Sequence, residues 1–418
     1  MAFEKTTLAN GVTVVTDSMP FVRSVSIGLW FNVGSRDERP DQAGLTHFME
    51  HMMFKGTPTR TAFDISSEFD GLGAELNAFT SKEYTCYYAR AVDENLPQAL
   101  EILADMVIRS EFSDETIEPE REVVIEEIAR AEDQPDDVVF DLFADAILPG
   151  HPLGLPVLGT REHVAGYRHG NCAEFHRDHY YSGNLVVAVA GNVDHENLVR
   201  LCEGLFSQMS SGAKAKRTLL QPGGRESFAH LRKDTEQAHI LYGVPFMAFD
   251  DERRFAAAVM SNLLGGSMSS RLFQEVREKH GLVYSIFTNP SMYQGLGTFS
   301  VYAGTRPENL GRVAQITHDE FERLVQDGLD EAELSKNVES LCGQLWLGVE
   351  STSTRMSRLG RIETLGAQYH DHEWFAERYR AVTCDDVLEV ARQILTQEPT
   401  VAVVSPLDGD AVREAVLP

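Results

Sequence analysis

The chain is organised around ten residues that read Leu45-Thr46-His47-Phe48-Met49-Glu50-His51-Met52-Met53-Phe54. Within this stretch, His47, Glu50 and His51 form an H-x-x-E-H pattern. In a helix, residues four apart project from one face, which suits two imidazoles converging on a single tetrahedral metal ion. Glu50 follows His47 by three residues and joins that face. The stretch therefore predicts a helix with one face for chemistry.

The opposite face of this helix is apolar. Its members recur at the i, i+3, i+4, i+7 and i+8 positions of a buried helical stripe: Leu45, Phe48, Met49, Met52 and Met53. Pro40 and Asp41 come shortly before the stripe, and Asp41 is the predicted N-cap. We therefore expect this face of the helix to pack on a core.

H-x-x-E-H is also a zinc peptidase signature, the inverted form of H-E-x-x-H, in which the glutamate is a base and not a ligand. The alternative is a chance pattern on a solvated helix face, which five residues alone leave open. Catalytic zinc sites take three protein ligands, so a third ligand is expected elsewhere in the chain.

The segment 116–131 supplies a candidate for the third ligand. On a helical wheel, Glu127 lies on the stripe of Glu120, Val123 and Val124, whereas Glu126 points away from it. A carboxylate on an apolar stripe is costly unless it is paired or binds a metal, so Glu127 is the predicted ligand. Glu120 is placed for a hydrogen bond to a ligating imidazole or to the metal-bound water. A solvated carboxylate at the helix start is the alternative for Glu120.

Length and composition describe a soluble protein of two domains. The chain has 418 residues, more than one ordinary core holds, and 43% of them are apolar. Residues 210–226 contain Gly, Lys, Ser and Pro without periodicity and predict a linker between an N-terminal domain, 1–209, and a C-terminal domain, 227–418. The five cysteines form no C-x-x-C pair, which indicates reduced core thiols.

The formal net charge of −27 argues against binding to nucleic acid or to an anionic membrane, because both need basic patches. It fits neutral or cationic partners, although acidity that only serves solubility explains it equally well. No apolar run is long enough for a membrane helix, and the first residues lack a basic region followed by an apolar core. We therefore expect a cytoplasmic protein.

The pattern of elements repeats in the two halves. In the first half, 22–33 reads as a half-buried strand in which Trp30 is the exception to the alternation, and 184–191 reads as a buried strand. In the second half, 237–244 and 400–405 take matching places. The strand at 74–80 carries small residues, which suits either an edge that accepts an extended peptide or an ordinary internal strand.

The second half has no H-x-x-E-H where the first half carries it. It holds instead a helix near 269–279, the left-handed stop Gly281 and a departing strand. Arg277 at the helix end and Tyr284 after the turn are hydrogen-bond donors suited to a peptide carbonyl or its oxyanion. The alternative for the pair is a surface salt-bridge residue and a core phenol.

Taken together, the chain resembles the pitrilysin and mitochondrial-processing-peptidase family of zinc metallopeptidases. The resemblance covers nearly the whole length and is carried by residues 44–57, 74–80, 120–127, 151–160, 181–193 and 265–284. The separation between His51 and Glu127 is also similar to the family's spacing to its glutamate ligand.

The resemblance implies one zinc ion per chain on His47, His51 and Glu127, with Glu50 as the base. It also implies that Asn77 and Ala78 bind substrate main chain and that Arg277 and Tyr284 form a carbonyl-binding pair. The implied fold class is α+β. Each half is an α/β roll with an antiparallel-rich mixed sheet covered by helices, and two chains close into a dimeric clamshell around a chamber.

The short stretch 263–266 lacks the extended glycine-rich loop of the mitochondrial enzyme's non-catalytic partner. We therefore expect a bacterial-type endopeptidase that carries both motifs, acts on short or unfolded polypeptides and forms a homodimer. The alternatives are a partner-dependent subunit of a heterodimeric processing peptidase and a non-catalytic scaffold homologue, which would be expected to have lost its zinc ligands.

Overall fold

The computed structural model describes residues 3–219 and 224–417, so 220–223 of the predicted linker lie outside the described residues. The chain forms two compact units. Unit 1 comprises the described residues of Met1–Ala129, Leu155–Thr218 and Leu347–Tyr369. Unit 2 comprises those of Arg130–Gly154, Leu219–Trp346 and His370–Pro418.

Both units are built from strands and helices. The strands are β1 (Phe3–Thr7), β2 (Thr13–Ser18), β3 (Ser24–Phe31), β4 (Gly56–Thr57), β5 (Arg60–Thr61), β6 (Glu75–Thr80), β7 (Thr85–Val92), β8 (Leu185–Gly191), β9 (Phe228–Arg232), β10 (Ala238–Phe246), β11 (Val283–Met292), β12 (Gly297–Thr305) and β13 (Thr400–Ser405). The α-helices are α1 (Leu45–Met52), α2 (Ala62–Gly71), α3 (Leu96–Arg109), α4 (Asp114–Asp133), α5 (Pro135–Ile147), α6 (Arg161–Gly166), α7 (His169–His179), α8 (His195–Leu205), α9 (Arg254–Gly265), α10 (Leu310–Asp327), α11 (Glu331–Gly348), α12 (Thr352–Leu365), α13 (His372–Arg380), α14 (Cys384–Leu395) and α15 (Gly409–Val416). A π-helix, Phe273–Lys279, precedes β11. None of the described helices has the length and apolar character that crossing a membrane requires.

Each unit contains one large mixed sheet, and the two sheets have the same topology. The sheet of unit 1 has the order β1-β2-β8-β3-β7-β6, and that of unit 2 has the order β9-β13-β10-β12-β11. In each sheet one pair is parallel, β2 with β8 and β9 with β13, and the other pairs are antiparallel. Five strands therefore correspond one to one, and β1 is the addition in unit 1. The predicted repeat of two α/β halves with antiparallel-rich mixed sheets is confirmed.

Both sheets are covered by helices on both faces, and one helix in each unit comes from the other half of the sequence. Helix α12 packs on β2, β3 and β8 in unit 1, and α5 packs on β9, β10 and β13 in unit 2. The predicted domains were contiguous, 1–209 and 227–418, and the compact units differ from them by these two transferred segments. Periodicity marks each helix as amphipathic but does not identify the sheet on which it packs.

Trp30 breaks the alternation of apolar and polar residues in its predicted strand because α12 covers the second face of the sheet. Its indole lies on the face of β3 that α12 covers, where Nε1 lies 3.4 Å from Met356 Sδ. Gly360 makes the close approach possible, since a Cβ there would lie 2.2 Å from the indole ring. Trp30 is therefore as buried as the residues on the opposite face of the strand.

A buried ion pair joins α12 to the sheet of unit 1. Arg355 Nη1 lies 3.0 and 2.9 Å from the two carboxylate oxygens of Asp17 on β2, and its Nε donates to the carbonyl of Val349. The two charged side chains are only 6% and 4% exposed. Removing the Asp17 carboxylate leaves the charge of Arg355 buried without its carboxylate partner, which costs far more than the loss of an exposed pair.

We therefore expect Asp17→Asn to lower the free energy of unfolding of unit 1 by about 3 kcal/mol or more. The matched control is Lys5→Met, because Lys5 pairs with Glu363 between the same sheet and the same helix but its side chain is 43% exposed. The control change is expected to cost about 1 kcal/mol or less. Urea unfolding followed by Trp30 fluorescence, with Trp346 and Trp374 replaced by Phe, measures both. Equal costs would contradict a special role for the buried pair.

Candidate metal centre

The helix that carries H-x-x-E-H begins at a glycine and a buried carboxylate. Gly44, with a φ of 88°, is the N-cap of α1, and an added Cβ would lie 2.5 Å from the carbonyl oxygen of Leu158. The Glu38 carboxylate accepts hydrogen bonds from the backbone N–H groups of Gly44 and Thr46 at 2.9 and 2.7 Å. The predicted cap, Asp41, is wrong, because it lies in a separate 3₁₀ turn, Pro40–Gln42. Burial raises the pKa of the Glu38 carboxyl to about 7, and the bonds from Thr46 and Gly44 oppose that shift. In its ionised form Glu38 places negative charge at the positive end of the helix.

The predicted apolar stripe of α1 is confirmed. Leu45, Phe48, Met49, Met52 and Met53 are all fully buried in the main core of unit 1. Because this stripe fixes the rotation of the helix, the other face carries both histidines towards α4.

Glu127 on α4 lies opposite the two histidines. Its Oε2 atom is 3.7 Å from His47 Nε2 and 3.3 Å from His51 Nε2. In the part of the chain that the structure describes, these three side chains form the one group of His, Cys, Asp and Glu whose ligand atoms all lie within 4.8 Å of one another.

The donor set and its spacing fit a zinc ion. Two imidazoles and one carboxylate make up a known catalytic zinc set that leaves one position open. Ligand atoms about 2.0 Å from a tetrahedral ion lie about 3.3 Å from each other, close to the separations in this group. Burial lowers the pKa of His47 to about 4, with a smaller contribution from His51, so its imidazole is neutral at pH 7 as a ligand must be.

The second histidine is held by a further carboxylate. His51 Nδ1 lies 2.8 Å from Glu120 Oε1, and Lys55 Nζ lies 2.5 Å from Glu120 Oε2. Burial lowers the pKa of His51, but the bond to Glu120 and the surrounding carboxylates outweigh that effect and raise it. Burial also raises the pKa of Glu120, and its contacts with His51 and Lys55 reverse the shift. Glu120 therefore stays ionised and orients Nε2 of His51 towards Glu127.

The geometry agrees with Glu127, and not Glu126, as the predicted ligand. The apolar stripe on which Glu127 was predicted to lie is only partly buried. Glu127 faces the histidines, whereas Glu126 is exposed. Val124 is buried, but Val123 is 45% exposed and the Glu127 side chain is 43% exposed. Glu127 thus lies at the border of the apolar stripe and not within it. The solvated alternative for Glu120 is wrong, because that residue is buried.

Glu50 lies between the histidines in sequence, but it contacts strand β6 and not helix α4. Its Oε2 atom accepts a hydrogen bond of 2.5 Å from the Thr80 hydroxyl at the end of β6. Burial raises the pKa of the Glu50 carboxyl, and the Thr80 bond opposes the shift. A carboxylate with a raised pKa beside a metal site is suited to accept and return a proton.

Asn77 and Ala78 lie on the edge of the sheet. Within the described residues β6 pairs with β7 alone, which resolves the choice between edge and internal strand. The Ala78 N–H donates to the side-chain oxygen of Asn77 at 2.8 Å. An extended peptide that pairs with β6 would replace this local bond with main-chain hydrogen bonds.

Arg277 and Tyr284 lie together in unit 2, and the other candidate residues belong to unit 1. The Arg277 guanidinium carbon lies 5.4 Å from the centre of the Tyr284 ring and 4.6 Å from that of Phe273. Tyr284 is 78% exposed, so the alternative of a core phenol is wrong. Gly281, with a φ of 61°, ends the π-helix as predicted. Tyr284 occupies a register shift between Val283 and Ser285, and such bulges re-aim a side chain.

Sequence reasoning missed Glu38, Lys55 and Thr80. Lys55 follows His51 by four residues but lies beyond the end of α1 at Met52, so helical spacing does not account for its contact with Glu120. Thr80 acts across a tertiary contact for which the sequence holds no periodic signal, whereas Glu38 contacts Gly44 and Thr46, six and eight residues along the chain.

The group of His47, His51 and Glu127 predicts which glutamate contributes most to zinc binding. Glu127→Gln is expected to weaken zinc binding by about 100-fold or more, because it removes a charged ligand. Glu120→Gln is expected to weaken it by about 10- to 100-fold through the orientation of His51. Glu126→Gln, which changes the residue just before Glu127 on the same helix, is the matched control and should bind zinc as the wild type does. Competition with a zinc chelator measures all four proteins, and equal losses in the Glu126 and Glu127 variants would exclude this assignment.

Comparison with known proteins adds independent information. Residues 13–161 match the family model described as Insulinase (Peptidase family M16), and residues 171–341 match the model described as Peptidase M16 inactive domain. The second description agrees with the absence of H-x-x-E-H from the C-terminal half.

Relatives and solved structures align over nearly the whole chain. A Streptomyces coelicolor protein named "uncharacterized zinc protease" is 43% identical over 98% of this chain and 91% of its own length. A Bacillus subtilis protein with the same description is 40% identical over 96% and 97%. A protease from Helicobacter pylori shares the fold with a TM-score of 0.89 at 22% identity, covering 97% of this chain and 99% of its own. The resemblance inferred from the sequence is confirmed, and the chain belongs to peptidase family M16.

Proposed function

We propose that this protein is a zinc-dependent endopeptidase that hydrolyses peptide bonds in short or unfolded polypeptides. The observation that carries the proposal is the convergence of His47, His51 and Glu127, with the Glu50 carboxylate on the same helix. The relatives named zinc proteases support zinc as the metal. One such group among the described residues supports one ion per chain.

The residues divide the work of hydrolysis among them. Zinc on His47, His51 and Glu127 would supply Lewis-acid activation of a water molecule and of the scissile carbonyl. Glu50 accepts the proton of the attacking water and later gives it to the leaving amine. The open edge of β6, at Asn77 and Ala78, binds the substrate main chain in extended form.

Arg277 and Tyr284 serve as donors to the carbonyl oxygen or to nearby substrate main chain. Their mutual stacking and the exposure of the Tyr284 ring support this role, because a donor must be both held and accessible. We propose that two copies of the chain form a dimeric clamshell around a chamber, in which the pair of one copy serves the metal residues of the other. A closed chamber would exclude folded proteins.

The charge of the chain bears on substrate preference. A formal net charge of −27 would attract cationic peptides and repel acidic ones. We therefore propose a preference for basic substrates. Equal turnover of otherwise matched acidic and basic peptides at low salt would overturn this part of the proposal.

The primary test compares the wild type with Glu50→Gln on a mixed library of unstructured peptides, with zinc content determined for both. The wild type is expected to cleave, and the variant to lose about 100-fold or more in rate with unchanged zinc. No cleavage by a zinc-loaded wild type would favour a partner-dependent subunit, and absence of zinc binding would favour a scaffold. The cleaved bonds define specificity.

A mixing experiment tests the shared site. Glu50→Gln and Tyr284→Phe chains, each impaired alone, are mixed and re-annealed, and subunit exchange is verified with two tags of different mass. One site in each mixed dimer then has wild-type residues, so about a quarter of wild-type activity should return. If activity stays at the level of the separate variants after verified exchange, each chain completes its own site.

A further inference from the structure

The Glu50 carboxylate has one hydrogen-bond partner within the described residues, the hydroxyl of Thr80. The bond joins Glu50 Oε2 to Thr80 Oγ1 at 2.5 Å and connects α1 to the last residue of β6. A glutamate side chain has three rotatable bonds, so a carboxylate that nothing holds samples several orientations. Only some of these orientations allow it to act as a base. A hydroxyl donor to a carboxylate forms a short, strong bond that selects one of them.

Thr80 is itself held at the start of a tight turn. It pairs with Thr85 on β7, and the backbone N–H of Ser81 donates to the carbonyl of Tyr84 at 2.9 Å. The Thr85 hydroxyl donates to the carbonyl of Val33 at 2.9 Å, and Thr85 is fully buried. The turn therefore has little freedom to move relative to β3.

A second layer fixes the same turn from outside the hairpin. The N–H groups of Ser35 and Arg36 donate to the carbonyls of Ser81 and Lys82 at 3.1 and 2.9 Å. The Arg36 guanidinium forms a buried ion pair with the Glu83 side chain. The backbone carbonyl of Glu83 also accepts a hydrogen bond from the Arg217 guanidinium. A turn tied by main-chain bonds and a buried ion pair can hold a side chain in one position.

The geometry points to Thr80 as a positioning residue, one that holds one oxygen of the Glu50 carboxylate so that the other faces the reacting water. This inference rests on the proposed function, because it concerns the base of that reaction. It adds to β6 a second role, since the strand that offers Asn77 and Ala78 to a peptide also orients the base. The bond is independent of the three metal ligands, so its loss should leave zinc binding intact.

The test compares Thr80→Val, which keeps the shape but removes the hydroxyl, with Thr80→Ser, which keeps the hydroxyl. Thr80→Val is expected to lower kcat by about 10- to 100-fold, because a misplaced base loses its alignment with the water. Its KM and zinc content should stay close to those of the wild type, and Thr80→Ser should retain kcat within about threefold. A structural role for Thr80 in the edge strand would instead raise KM or reduce zinc content.

Crystal structures of the zinc-loaded wild type and Thr80→Val provide a readout besides activity. The Glu50 carboxylate should occupy one conformer in the wild type and a different or divided position in the variant. An unchanged Glu50 with unchanged kcat, or equal damage in the Val and Ser variants, would overturn the inference. If the wild type cleaves no peptide, the proposed function fails, and the two crystal structures still decide whether Thr80 holds Glu50.

Discussion

The structure of the site depends on how a helix of eight residues is fixed in place. Helix α1 is too short to be stable alone, so its orientation comes from packing. Its apolar stripe is fully buried, and its first turn is tied to the Glu38 carboxylate. With rotation and start both determined, His47, Glu50 and His51 can point only towards the elements that meet the opposite face.

Each of these three side chains meets a partner that the fold supplies from another element. Glu127 and Glu120 come from α4, and Thr80 comes from β6. Spreading the partners over separate elements explains why the site can be precise although α1 is short. Glu120 restricts His51 and Thr80 restricts Glu50, whereas Glu127 lies against both histidines.

The carboxylates of the centre outnumber its one lysine. Glu50, Glu120 and Glu127 bring three carboxylates to one neutral imidazole, one imidazole of raised pKa and Lys55. Partly buried carboxylates without a counter-charge are costly. A divalent ion offsets that cost, so the electrostatics and the donor set lead to the same conclusion.

Local periodicity predicted the elements well, and tertiary contacts explain where it did not. The stripe of α1, the repeat of the two halves and Gly281 followed from spacing or from one residue's backbone preference. The choice of Asp41 as a cap failed because the nearby Glu38 carboxylate and the positive φ of Gly44 set the start of the helix. The roles of Thr80 and of the transferred helices depend on which elements become neighbours, and that information is spread over the whole chain.

The transfer of α12 into unit 1 has a consequence for how the chain leaves the ribosome. All six strands of the first sheet have been synthesised by Gly191, but the helix that covers one face ends only at Leu365. Until then Val15, Trp30 and Val186 form an apolar surface without its cover. The N-terminal half therefore completes its folding after most of the C-terminal half has been made. During that interval the nascent chain exposes an apolar, aggregation-prone face of the sheet.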